Sequence, residues 1–146
     1  MTNCTLCKDE LKPEEGELIW HGDDCRVIMV NDPELPGFCR VIWNHHVSEM
    51  SDLTYGEREH IMSLVFAVEE VIREVMDPDK VNIASLGNMV SHVHWHVIPR
   101  YQDDAYFPGS PWSAKTQETS KTRLEDRRAL AKRLPKAIKE MISQLY

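Results

Sequence analysis

A chain of 146 residues is long enough to bury one hydrophobic core and too short for two independent domains. Hydrophobic residues make up 42% of the chain and charged residues 28%, which is typical of a folded protein and excludes a disordered one. The formal net charge of -7 argues against DNA or RNA as a partner, because nucleic-acid binding relies on many basic side chains. A small phosphate ligand remains compatible with this charge, since a few N–H groups suffice to bind one.

The sequence also predicts where the protein functions. It contains no run of about 20 apolar residues, so we expect no membrane-spanning helix. The N-terminus lacks the basic and apolar segments of a signal peptide, so the expected location is the cytoplasm. Because cysteines stay reduced in that compartment, we do not expect the four cysteines to form structural disulfides.

The first third of the chain predicts three β-strands. Residues 17–20 and 25–30 are rich in strand-forming residues, and the turn-forming residues 21–24 between them indicate a hairpin. Residues 31–37 contain two prolines and a glycine, which is typical of a loop. The apolar, β-branched residues 38–43 then predict a third strand.

The middle of the chain predicts one long amphipathic helix. Thr54 and Glu57 form a capping-box pattern at its start, and Asp77-Pro78 ends it. The apolar residues that recur at helical spacing are Ile61, Leu64, Val65, Val68, Ile72 and Val75. Strands are predicted at residues 81–84 and 92–99, so the expected fold is α+β, with about five antiparallel strands.

The last part of the chain predicts an irregular arm followed by a C-terminal helix. Residues 101–119 combine turn-forming residues with aromatic ones, among them Trp112, which we expect to fold against the site or against a partner subunit, or to pack as a simple surface residue. A second capping-box pattern at Thr122–Glu125 and an apolar stripe beyond it predict the helix. Pro135 lies inside this stripe, so it either kinks the helix or marks its true start.

Three histidines alternate with apolar residues at 92–99. On a strand, alternate side chains share a face, so the imidazoles of His92, His94 and His96 are expected to line one face. Three of the seven histidines of the chain occur at this spacing. A surface strand that is rich in histidine by chance is therefore the weaker interpretation. Two chemical interpretations remain open: a metal site formed by the three imidazoles, or one imidazole that acts as a nucleophile on phosphorus.

The segment just before these histidines favours a phosphate ligand. Asn82, Gly87 and Asn88 supply amide side chains and a glycine whose neighbouring backbone N–H groups could bind an anion. No carboxylate in the segment could serve as a metal ligand.

These residues resemble the signature of the histidine triad (HIT) family, in which three histidines alternate with apolar residues after an Asn and a Gly-Gln pair. The residues that carry the resemblance are Asn82, Gly87-Asn88, His92-Val93-His94-Trp95-His96-Val97-Ile98-Pro99-Arg100, Val27 to Asn31, Pro36-Gly37 and His46. The resemblance spans Cys4 to Arg100. We therefore assign residues 1–100 to a histidine triad domain and residues 101–146 to an arm and helix packed on the same domain.

The resemblance implies a two-fold homodimer and a two-step reaction at the α-phosphate of a purine nucleotide, without an organic cofactor. It implies that His94 is the nucleophile, that His96 binds the phosphate or the leaving group and that Asn31 contacts the ribose, while Asn82 and Gly87 shape a phosphate loop. The predicted catalytic residues are His92, His94 and His96, and the predicted substrate-binding residues are Asn31, Asn82, Gly87 and Asn88.

Two residues depart from the family pattern. Asn88 replaces the usual Gln, and Met89 replaces the usual Ser or Thr, so one phosphate donor is lost or replaced. The sequence therefore leaves three hypotheses open: a nucleotide hydrolase or transferase, a zinc hydrolase with the three histidines as ligands, and a non-catalytic nucleotide-binding module.

The N-terminal Cys4 and Cys7 form half of a tetrahedral zinc site. In branches of the superfamily that begin with Cys-x-x-Cys, zinc is completed by a histidine after the third strand and by the first histidine of the triad. By this resemblance the other two ligands are His46 and His92. The alternatives are one structural zinc and a reduced, metal-free cysteine pair.

Overall fold

The computed structural model describes residues 4–8 and 11–145. Within these residues, the strands are β1 (Gly16–His21), β2 (Cys25–Val30), β3 (Cys39–Trp43), β4 (Lys80–Ala84) and β5 (His94–Arg100). The helices are α1 (Tyr55–Met76), α2 (Lys121–Ala131) and α3 (Leu134–Ser143). The strands form one antiparallel sheet in the order β1-β2-β3-β5-β4, which confirms the predicted α+β fold.

Helix α1 begins and ends where its local sequence predicts. The Thr54 side chain accepts a hydrogen bond from the Glu57 N–H, and the Glu57 carboxylate accepts one from the Thr54 N–H. Such a cap contributes about 1 kcal/mol. At the other end Asp77 adopts the left-handed conformation, with a φ of 45°, and the following Pro78 cannot continue the helix.

The sheet buries one face under helices. Helices α1 and α3 pack on each other, α1 covers β3 and β5, and α3 covers β1. The core-facing strand residues include Ile19, Cys25, Val27, Cys39, Val41, Trp43 and Val97. Because side chains alternate along a strand, the other face of the sheet presents the intervening residues, which include His94 and His96.

Three details of the predicted elements were wrong. Strand β5 begins at His94, so His92 precedes the strand instead of opening it. The C-terminal segment forms two helices instead of one. Of the two roles expected for Pro135, the structure agrees with the second, because Pro135 lies in the first turn of α3, where its missing N–H is tolerated. The cap of α2 is Ser120, whose side chain accepts from the Arg123 N–H, and not the predicted Thr122.

A buried ion pair fixes the irregular arm to the sheet. Arg100, at the end of β5, donates to both carboxylate oxygens of Asp104 over 2.8 and 3.0 Å and to the Gly109 carbonyl over 2.8 Å. Asp104 in turn accepts from the backbone N–H groups of Tyr101, Tyr106 and Phe107. This network holds residues 101–113 beside the histidine-bearing face.

Within residues 4–8 and 11–145, no helix combines the length and the apolar character that crossing a bilayer requires.

Candidate active site and metal-ligating cluster

His94 and His96 lie side by side on the open face of the sheet. Strand pairing places Ile42 opposite His94 and Arg40 opposite His96, while Ala84 of β4 flanks His96 on the other side. The two imidazole rings are 4.9 Å apart between centroids. Both residues are largely buried, with 8% of His94 and 4% of His96 exposed, so their protonation states depend on their hydrogen-bond partners.

The hydrogen bond of His94 determines which ring nitrogen is free. Its Nδ1 lies 2.6 Å from the His92 carbonyl oxygen, which can only accept, so Nδ1 carries the proton. Nε2 then holds the lone pair. Burial lowers the pKa of His94 and outweighs the opposite effect of the hydrogen bond to the His92 carbonyl. A neutral imidazole with an available Nε2 is the form that can act as a nucleophile.

His96 adopts the opposite arrangement. The Nε–H of Arg40 donates to Nδ1 of His96 over 3.3 Å, so this nitrogen accepts and the proton of His96 lies on Nε2. Burial, the Arg40 charge and His94 together lower the pKa of His96 to about 3. His96 is therefore a neutral N–H donor at physiological pH.

Aromatic side chains surround His96. Phe38 and Trp112 contact its ring edge-on, with centroid distances of 5.6 and 4.9 Å. Trp112 belongs to the arm that Arg100 and Asp104 hold in place, and 48% of it remains exposed. The arm therefore folds against the site within the same chain, which is the first of the arrangements expected for Trp112.

The loop from Ser85 to Ser91 begins beside His96, because β4 ends at Ala84. Ser85 donates from its hydroxyl to the His94 carbonyl over 2.7 Å, which ties the loop to β5. Gly87 has a φ of 71°, a conformation that favours glycine. Asn88 is exposed and Met89 is 98% exposed, so both departures from the family pattern lie on the loop surface.

The two predicted asparagines occupy different surroundings. Asn82 lies on β4 and accepts from Arg100 over 2.7 Å, so its amide is oriented by the network that holds the arm. Asn31 follows β2, donates to the Glu14 carbonyl over 3.2 Å and lines a cavity of about 400 Å³ with Gly37 and others. In the described residues, none of its hydrogen bonds reaches a histidine. Its role as a ribose ligand stays a prediction.

The four predicted metal ligands come together. His46 Nδ1 and His92 Nδ1 are 3.3 Å apart, and Cys7 Sγ lies 3.3 Å from His46 Nδ1 and 3.5 Å from His92 Nδ1. Cys4 Sγ lies 3.4 Å from His92 Nδ1, and all four ligand atoms lie within 4.8 Å of one another. Zn–S bonds of about 2.3 Å and Zn–N bonds of about 2.0 Å give tetrahedral edges of about 3.3 to 3.8 Å, so these distances fit a Cys2His2 metal site.

His92 belongs to this cluster and not to the pair on β5. Its Nε2 bonds to the Trp43 carbonyl and therefore carries the proton, which leaves Nδ1 as the possible metal ligand. Burial is the largest cause that lowers the pKa of His92. The expectation of three imidazoles on one strand face was therefore wrong for His92. Within the described residues, the group that could hold a metal includes neither His94 nor His96.

Sequence analysis missed two residues of the site. Arg40 interrupts the apolar run of β3, and a charged side chain in such a strand was the signal that could have identified it. Asp104 gave no local signal, because its partner Arg100 follows the histidine motif and the pairing depends on the turn after β5. Cys25 and Cys39 are completely buried among core side chains, and this burial raises the pKa of both thiols to about 12.

Comparisons with known proteins identify relatives of this chain. The HIT domain model matches residues 12–103. The chain is 31% identical over 104 residues to an AP-4-A phosphorylase of Mycobacterium tuberculosis (strain CDC 1551 / Oshkosh). This alignment covers 67% of this chain and 53% of that protein. It is 36% identical over 95 residues to an asymmetrical bis(5'-nucleosyl)-tetraphosphatase of Schizosaccharomyces pombe, and this alignment covers 61% of this chain and 52% of that protein. The chain spans about half the length of these curated relatives.

Solved structures share the fold. A histidine triad protein of Sinorhizobium meliloti 1021 matches with a TM-score of 0.70 and 26% identity, covering 94% of this chain and 98% of that one. A zinc-bound histidine triad family protein of Mycobacterium smegmatis matches with a TM-score of 0.64 and 20% identity over 98% of both chains. Since the family model covers more than half of the residues and the fold agrees, the chain belongs to the HIT domain family.

Proposed function

We propose that the protein is a nucleotide hydrolase or transferase that cleaves a phosphoramidate or phosphoanhydride at the α-phosphate of a purine nucleotide. The observation that carries this proposal is the complementary protonation of two adjacent histidines. His94 presents a free Nε2 lone pair, and His96 presents an Nε2–H donor, in a largely buried site. A nucleophile beside a donor is what transfer of a nucleotidyl group requires.

The reaction proceeds in two displacements. Nε2 of His94 attacks the α-phosphorus, the bond from phosphorus to the leaving group breaks, and the leaving group departs with the electron pair. The Nε2–H of His96 donates a hydrogen bond to the phosphate or the leaving group as negative charge develops there. Water then attacks the phosphorus of the nucleotidyl-imidazole, which releases a nucleoside monophosphate and one proton to the solvent and restores His94.

The second displacement can have one of two acceptors for the nucleotidyl group. One relative is a phosphorylase and another is a tetraphosphatase, so the acceptor of the nucleotidyl group is either inorganic phosphate or water. With diadenosine tetraphosphate, attack of His94 at the α-phosphorus releases ATP. Water as the acceptor then gives AMP, whereas phosphate as the acceptor gives ADP.

Product analysis tests the proposed function. The chain is incubated with diadenosine tetraphosphate or adenosine phosphoramidate, with and without inorganic phosphate, and the nucleotides are separated by anion-exchange chromatography. We expect AMP and ATP from the first substrate, AMP from the second, and no dependence on added phosphate. Binding of AMP without turnover of either substrate would instead support a non-catalytic nucleotide-binding module.

We further propose that Cys4, Cys7, His46 and His92 hold one structural zinc ion. The donor set, the spacing of the four ligand atoms and the protonation of His92 support this assignment. The zinc-bound relative has the same fold. The cluster connects the N-terminal segment to the end of β3 and to the residue before Val93, so the ion would join segments distant in sequence.

Adjacent histidines provide a matched test of the zinc assignment. We expect His46→Asn to lose the metal and to lower the free energy of unfolding, by about 4 kcal/mol where free zinc is a thousandfold above its Kd. His45→Asn changes the neighbouring exposed histidine and should retain one zinc per chain. Elemental analysis and thermal unfolding measure both effects. A wild-type chain that remains metal-free after incubation with zinc would refute the assignment.

The remaining expectations stay predictions. Strand β4 lies at the edge of the sheet, so its outer N–H and C=O groups could pair with a second copy in a two-fold dimer. The cytoplasmic location and the division into residues 1–100 and 101–146 are retained on the sequence argument.

A further inference from the structure

Arg40 lies on the same face of the sheet as His94 and His96, and the proposed reaction assigns no role to its positive charge. It extends from the middle of β3, directly opposite His96 on β5. The guanidinium carbon also lies 5.5 Å from the centre of the Phe38 ring. In the part of the chain that the structure describes, Arg40 forms no ion pair, and Asp32 exerts only a longer-range attraction on it. A half-buried arginine without a carboxylate partner is costly, which indicates a role beyond packing.

We propose that Arg40 is a positioning residue that fixes His96 as an Nε2–H donor toward the substrate. The Nε–H of Arg40 donates to Nδ1 of His96 over 3.3 Å, and this bond is compatible only with a proton on Nε2. Phe38 and Trp112 contact the same ring edge-on and limit its rotation. The arginine therefore selects both the tautomer and the orientation of the imidazole.

The charge of Arg40 has a second effect on the same ring. The groups that face His96 are Arg40 from β3, His94 from β5, the uncharged Ala84 from β4 and the uncharged Trp112 from the arm. After burial, Arg40 is the next largest cause that lowers the pKa of His96 to about 3, ahead of His94. With its pKa at about 3, His96 stays neutral at physiological pH.

Nuclear magnetic resonance of histidine labelled with ¹⁵N tests the inference on the full chain. The signals of His96 are assigned by their loss in His96→Gln. In Arg40→Met we expect the pKa of His96 to rise and the exclusive Nε2–H tautomer to be lost, whereas Arg40→Lys should restore part of both, because it keeps a charged donor. Arg123→Met, which removes an arginine from an exposed ion pair, should leave the His96 titration unchanged.

Kinetics supply the second measurement, and this part of the inference rests on the proposed function. With adenosine phosphoramidate we expect kcat of Arg40→Met to fall about tenfold while KM changes less than twofold, because the oriented donor acts as charge develops. An Arg40→Met chain whose His96 tautomer and titration match the wild type would overturn the inference. If the wild type lacks turnover but the resonances change as expected, the positioning role stands and the proposed function fails.

Discussion

Replacement of His94 by asparagine should reduce kcat/KM for diadenosine tetraphosphate and for adenosine phosphoramidate by at least a thousandfold, because it removes the only group proposed to form a bond to phosphorus. The asparagine amide keeps a donor for the His92 carbonyl, which the wild-type Nδ1–H contacts over 2.6 Å, so the local backbone should be preserved. Calorimetric binding of AMP checks that the variant is folded.

Two further variants make this result specific. His45→Asn removes an exposed histidine outside the site and should retain wild-type turnover. His96→Ala keeps the nucleophile, so intact-protein mass spectrometry after brief mixing with substrate should detect an added adenylyl group on it and none on His94→Asn. Turnover by His94→Asn at a rate comparable to that of the wild type would contradict the mechanism.

Replacement of Asp104 by asparagine should lower the free energy of unfolding by about 3 to 5 kcal/mol, because it leaves Arg100 buried without its counter-charge. Arg100 is 2% exposed and Asp104 is 1% exposed, so water cannot compensate for the lost charge. One amide N–H of the new side chain would also face the arginine donors. Urea unfolding measures the loss. The ion pair of Glu34 and Lys115 is accessible to solvent, with 22% of Glu34 and 50% of Lys115 exposed, and provides a control. Glu34→Gln should change the free energy of unfolding by less than about 1 kcal/mol.

The same ion pair predicts how stability depends on pH. Burial by itself would raise the pKa of Asp104, but hydrogen bonds from Arg100 and from the Tyr106 and Tyr101 N–H groups lower it below the ordinary value of 3.8. The pair therefore contributes its full stability above about pH 4 and loses it as the pH falls through the lower, folded-state pKa. Asp104→Asn should unfold with a weaker dependence on acid pH than the wild type. An unchanged acid dependence would show that other carboxylates determine it.

The fold could be predicted from local patterns because each element carries its own signal. Alternation identified the strands, and the Thr54 capping box with its apolar stripe identified α1. The exact start of β5 could not be predicted, because His92 continues the alternation and leaves the strand only through contacts with Cys4, Cys7 and Trp43. Tertiary contacts with residues about 50 to 90 positions away decide that boundary.

The candidate site was predictable to the extent that its residues form motifs. The histidine run and the Cys-x-x-Cys pair could be recognised, and the cluster of Cys4, Cys7, His46 and His92 follows the order that the resemblance implies. The tautomers of His94 and His96 could not be predicted, because they depend on a backbone carbonyl and on an arginine from another strand. Contacts across the sheet depend on the register between neighbouring strands, and this register cannot be derived from the pattern of one strand alone.

His92 connects the candidate metal-ligating cluster to His94, the proposed nucleophile. Its Nδ1 lies in the cluster, and its carbonyl accepts a hydrogen bond from the Nδ1–H of His94, two residues away. If the proposed zinc is held there, it anchors the ring of His92 and also aligns Nε2 of His94, the proposed attacking nitrogen. We therefore expect removal of the zinc to slow turnover, although the metal takes no part in the proposed chemistry. Thermodynamic reciprocity extends this coupling in the opposite direction. If binding of a nucleotide depends on that alignment, the proposed zinc should raise the affinity for the nucleotide, and the nucleotide should raise the affinity for zinc by the same factor.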